Sequence, residues 1–150
     1  MQELLLRKLQ DYIRDNNLDV FMQLQMNGQL MHYLKEKLGN VDGLLNELLS
    51  EGRPLYLIEE ACMEQLTADL RPSAYLYVCG VVEEEFQETE QQWKKAGVFE
   101  FEIINLAQEC KAVFEHHGFT EASMDDKTLR LAVSGTIQEY LEHQYVIVNT

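Results

Sequence analysis

Apolar residues recur every three or four positions along most of this chain, and glycines and prolines interrupt the pattern at helix-length intervals. A 3.6-residue period suits α-helices that bury one face, so the chain is expected to be all-α. Leu5, Leu6, Leu9, Tyr12 and Ile13 fall on one side of a first helix, with Arg7, Lys8, Gln10, Asp11 and Arg14 on the other. A second helix is expected over 19–38, with Phe21, Leu24, Met31, Leu34 and Leu38 on one face. Gly28 shares that face, where it would allow close helix approach, and Gly39-Asn40 supplies a stop. A short third helix carries Val41, Leu44, Leu45, Leu48 and Leu49 and ends at Gly52. Pro54 opens the fourth, with Leu55, Ile58, Ala61, Cys62 and Leu66 inward, and that helix must end before Pro72.

The fifth segment, 73–96, begins AYLYVCGVV, which is rich in β-formers. Its stripe of Tyr75, Cys79, Val82, Phe86 and Trp93 nevertheless keeps helical phase until Gly97. The sixth, 98–117, opens with the strand-like alternation VFEFEI. Ile103, Ile104, Ala107, Cys110, Val113 and Phe114 then restore the helical period up to Gly118, so the whole segment is expected to be helical. A last helix starts near Asp125, with Ser123 and Asp126 approximating a capping box and Leu129, Ala132, Val133, Thr136, Ile137, Tyr140 and Leu141 inward. The tail YVIVNT reads as extended. With no repeat, low-complexity tract or linker, the expectation is one domain over 1–150, an irregular orthogonal bundle of six or seven helices.

A chain of 150 residues buries enough surface to fold without a disulfide or metal. Twenty-six acids against twelve bases give a formal charge of -14, which repels phosphate backbones and anionic membranes and argues against direct nucleic-acid binding. Cys62, Cys79 and Cys110 are odd in number and embedded in apolar sequence, as free core-filling thiols in a reducing compartment would be. The opening MQELLLRKLQ lacks the apolar core of a signal peptide, and the longest apolar run is too short to span a bilayer. A cytoplasmic location is expected.

None of the motifs that carry known chemistry is present. A dimetal bundle site needs Glu-x-x-His pairs, and none of His32, His116, His117 and His143 follows a Glu by three residues. Glu139 and His143 lie one turn apart without a matching pair on another helix. Paired cysteine spacing, a phosphate loop and a calcium loop are absent, and Ser134-Gly135 lacks the preceding glycine of a nucleophile elbow. No catalytic, metal or cofactor residue is assigned.

Two features exceed what a core requires. Met22, Met26, Leu30 and Tyr33 widen the apolar arc of the second helix beyond that of an ordinary surface helix. That face is either packed on several sides or an adaptable methionine-rich surface for a partner or a second copy of the chain. Glu83, Glu84, Glu85, Glu88 and Glu90 form an acidic ridge without a base until Lys94, which is either a solvated face or an anionic surface for a basic partner.

Within Ala61 to Phe86, the Ser73-x-Tyr75 start and the Glu84-Glu85-Phe86 end frame a helix, and Leu131 to Glu142 reads L-x-x-S-G-T-I-x-x-Y-L-E. Together these stretches resemble a bacterial family of small all-helical domains of unknown function often encoded near mobile elements. At Arg71-Pro72-Ser73-Ala74-Tyr75 the chain departs from the usual family pattern. The resemblance implies an all-helical fold and transfers no activity, cofactor or site residue. The reading that follows is a non-enzymatic protein-interaction module, and the resemblance implies an accessory of a mobile element. Its candidate surface comprises Met22, Met26, Leu30, Tyr33, Glu83, Glu84 and Glu88. The alternatives are an enzyme cleft assembled from distant acids and histidines, and a mimic of nucleic-acid phosphates.

Overall fold

In a computed structural model, the backbone is described for residues 1–149 and the side chains for residues 1–144. The described residues form nine α-helices and two short 3-10 turns, with no strand among them. The all-α expectation is therefore met, while the helix number exceeds the six or seven expected. The chain divides into two compact units, Met1–Arg71 and a second beginning at Pro72.

The first unit contains α1 (Gln2–Asn16), α2 (Leu18–Met26), α3 (Leu30–Ser50) and α4 (Leu55–Leu66). α1 packs against α2, α3 and α4, and α3 lies along α4. The residues that meet are those with helical period: Leu5, Leu9 and Ile13 from α1, Leu34, Leu38, Val41 and Leu45 from α3, and Ile58, Cys62 and Leu66 from α4, joined by Phe21 and Leu70. Each fully buried leucine or isoleucine contributes roughly 1.5–3 kcal/mol relative to exposure.

The expected helix boundaries in this unit are corrected at two glycines. Gly28 does not sit mid-helix as a close-packing residue. It adopts φ +68°, and the amides of Gly28 and Gln29 donate back to Gln25 and Leu24, so it ends α2. Gly39, in contrast, ends nothing: α3 runs through Gly39 and Gly43 and joins the later part of the expected second helix to the third. Flanking Leu38, Val41 and Leu45 are all buried, and their packing outweighs the helix penalty of roughly 1 kcal/mol per glycine. Pro54 does open α4.

The second unit contains α5 (Ala74–Glu85), α6 (Gln87–Ala96), α7 (Phe99–Glu109), α8 (Lys111–His117) and α9 (Lys127–Asn149). α5 packs on α6, α7 and α9, and α9 also contacts α7 and α8. Its buried residues include Tyr75, Tyr77, Val78, Val81, Val82, Ile103, Leu106, Cys110, Phe114, Leu129, Val133 and Ile137. The AYLYVCGVV stretch is helical, with Tyr75, Val78 and Val82 buried at helical period, and VFEFEI is helical from Phe99, with Ile103 buried. The expected fifth helix is broken at Phe86 (φ -129°, ψ 51°) and the sixth at Cys110. α6 has no buried residue and lies against α5 and α7, with Lys94 paired to Glu90 and placed 4.9 Å from the Phe99 ring centre.

The start of α9 differs from the expected Ser123–Asp126 box. Ser123 closes a box with Thr120, while an Asp126 carboxylate oxygen accepts from the Thr128 amide at 3.0 Å and caps α9. The expected extended tail is corrected for residues 145–149, which continue α9 as helix; Thr150 lies outside the described residues. Further along α9, the Tyr140 hydroxyl donates to Glu102 on α7 at 2.9 Å, and the Gln144 amide donates to both. Burial, reinforced by the neighbouring Glu102, pushes the Tyr140 hydroxyl up to about 12.

Candidate functional site

α2 ends and α3 begins at the Gly28 turn, and this turn determines where the methionines lie. Met22 and Met26 are one helical turn apart on α2 and Met31 is the second residue of α3. Met26 is 81% exposed, Met31 48% and Met22 38%. Leu30 and Tyr33 are half-buried and pack against the core of the first unit. Lys37 lies 5.9 Å from the Tyr33 ring centre, and burial together with nearby Asp69 pushes the Tyr33 hydroxyl up. The structure thus divides the expected surface into an exposed methionine corner and a Leu30–Tyr33 pair that serves the core.

The acidic ridge is divided as well. Glu83, Glu84 and Glu85 form the last turn of α5, whereas Glu88 and Glu90 lie on α6 beyond the Phe86 break. Arg130, half-buried on α9, donates to Glu84 at 2.7 Å and also pairs with Glu85, and the Ser134 hydroxyl donates to Glu85 at 2.9 Å. Glu90 accepts from Lys94, and Glu83 accepts from the Cys79 thiol. Glu88 is exposed on α6. A phosphate mimic needs a run of open carboxylates, whereas here Glu84 and Glu85 share one guanidinium.

Two shallow clefts lie on α1–α3 and on α9. One, of about 300 Å³, lies between α1 and α3 and is lined in part by Glu3, Leu6, Lys35, Leu38 and Asp42. The other, of about 380 Å³, lies at the start of α9 and is lined by Met124, Asp125, Asp126, Lys127, Arg130 and Leu131. No histidine lines either. His32, His116 and His143 are exposed, and His117 is half-buried beside His116. Among the described residues, no three His, Cys, Asp or Glu side chains converge as a metal site would require.

The three thiols are not activated nucleophiles. Burial pushes the Cys79 thiol up to about 12, helped by its hydrogen bond to Glu83, and the Cys110 thiol likewise to about 12. Burial also raises Cys62. A thiol so raised is not the low-pKa type that attacks substrates. All three are free, with Cys62 and Cys110 in the core and Cys79 half-buried.

The α9 cleft had no counterpart in the sequence reading. Its signal was a leucine out of phase with the core: Leu131 lies about 200° around the helix from both Leu129 and Val133. On α5 the Tyr77 hydroxyl is buried without a hydrogen-bond partner among the described residues. Burial pushes its pKa up, and Arg130, Asp126 and Glu85 act on it electrostatically. No described helix is long and apolar enough to cross a membrane. Compared with known proteins, the chain matches no family model, no curated protein and no solved structure.

Proposed function

We propose that the chain is a non-enzymatic, cytoplasmic protein-interaction module whose first unit docks a protein partner through the methionine corner formed by Met22, Met26 and Met31. The observation that carries this reading is the exposure of three methionines about one turn, with Met26 at 81%. A thioether on an unbranched chain adapts to differently shaped partners, which is why methionine suits such surfaces. The fold supplies the presentation: the positive-φ turn at Gly28 leaves Met22 and Met26 at the end of one helix and Met31 at the start of the next. The mobile-element association implied by the resemblance belongs to this reading and sets where the partner is to be sought.

The test is a comparison of tagged wild-type chain with the triple variant Met22→Gln, Met26→Gln, Met31→Gln in quantitative co-purification. All three side chains are exposed, so the variant is expected to keep its unfolding midpoint. A specific partner held by the wild type and lost by the variant supports the reading. Equal retention by both chains, or no retained partner together with a monomeric chain, sinks it.

A further inference from the structure

The second unit presents a surface of different chemistry. Leu131 is 73% exposed on α9, on the side away from Leu129, Val133 and Ile137, and so contributes little to the core. Beside it the exposed Met124 lines the same cleft of about 380 Å³. That volume is at the small end for ligand clefts and suits an inserted side chain better than a whole cofactor. One wall is fixed before any partner arrives, because Glu84 and Glu85 pin the Arg130 guanidinium and Ser134 donates to Glu85. A fixed wall needs little ordering on association, which lowers the entropic cost of binding.

Charge determines the sign of the partner. From Pro72 onward the chain carries fourteen acids against five bases. At the cleft the Arg130 charge is shared by two carboxylates, and the exposed Lys127 is the other base on its lining, beside Asp125 and Asp126. Asp126 directs one oxygen to the Thr128 amide, and Asp125 is exposed on the rim. The acid already capping α9 also takes the place that an incoming anion would occupy at the helix N-terminus. The surrounding field therefore attracts cations and repels acidic chains.

We infer that the cleft at the start of α9 docks a basic amphipathic protein segment, which seats an apolar side chain against Leu131 and Met124 and places a lysine or arginine on Asp125. This assignment does not depend on the methionine corner.

Two synthetic helical peptides test the assignment on the full chain by fluorescence anisotropy. Both carry leucines at helical spacing, one with lysines and the other with glutamates at the remaining positions. The lysine peptide is expected to bind, more weakly as salt rises, and the glutamate peptide to remain free. Leu131→Asp should weaken the lysine peptide roughly tenfold or more, the loss expected from one apolar anchor. Asp125→Lys should weaken it in a salt-dependent manner, which provides a second readout should Leu131→Asp disturb folding. Phe101→Asp, on the exposed face of α7, and the triple methionine variant should both leave it unchanged. Failure of the lysine peptide to bind, equal binding of the two peptides, or equal effects of Leu131→Asp and Phe101→Asp would each overturn the assignment.

Discussion

Arg130 on α9 donates to Glu84 in the last turn of α5 at 2.7 Å while also holding Glu85. One base thereby joins two helices and offsets the densest acids in the chain. Arg130→Gln leaves the two glutamates facing each other without compensation. The partners are partly exposed, so solvent screening limits the effect to about 1 kcal/mol. Urea unfolding at low salt should show that loss, and added salt should shrink it. An unchanged midpoint at low salt would contradict the bridging role.

The two kinds of glycine should respond in opposite directions. Gly28 has φ +68°, so Gly28→Ala forces an L-residue into the left-handed region and costs about 1 kcal/mol. Gly39 is inside α3, and an added Cβ would have nothing within 4 Å. Gly39→Ala should therefore stabilise by roughly 0.5–1 kcal/mol. Thermal unfolding of the two variants decides the matter, and a shift of the same sign in both would show the assignment to be wrong.

Asp19, in the first turn of α2, has an unpaired carboxylate oxygen buried among the described residues, and burial raises its pKa above the ordinary 3.8. A raised acid stabilises the fold fully below its unfolded value, and that stabilisation fades as pH rises through the folded value. Asp19→Asn removes this loss. Its stability relative to wild type should therefore grow between acid and neutral pH, as measured by paired urea titrations. A gap that stays constant with pH would rule the effect out.

The raised thiols predict slow chemistry. With Cys79 and Cys110 at about 12, almost no thiolate exists at pH 8. Disulfide-exchange labelling of the native chain should run at least about a hundredfold slower than for a free cysteine, and unfolding should release all three thiols. Rapid labelling of the folded chain would show that Cys79 is more accessible than its surroundings imply.

The helical class was legible because burial repeats with the helix. Leu5, Leu9 and Ile13, and again Leu129, Val133 and Ile137, sit one turn apart, and each set is fully buried. The breaks at Phe86 and Cys110 were not legible. Each falls where the sequence has neither glycine nor proline, so tertiary packing determines it. Gly39 misled for the converse reason: its local signal was overruled by buried Leu38 and Val41. The methionine surplus could be read from composition on one face, since apolar residues beyond the needs of a core have to go somewhere. The pairing of Glu85 with Arg130 could not, because 45 positions separate them and only the fold brings them together.

Because α3 does not stop at Gly39, it is a rigid spacer. Its 18 steps from Met31 to Leu49 cover about 27 Å at 1.5 Å per residue. Met31 stands at one end, while the exposed Leu49 stands at the other, where α4 begins with exposed Leu55, Tyr56 and Leu57. A short helix laid over one end cannot reach the other. The first unit is thus bipolar, with two exposed apolar ends held at a fixed distance, and covering one leaves the other open to water.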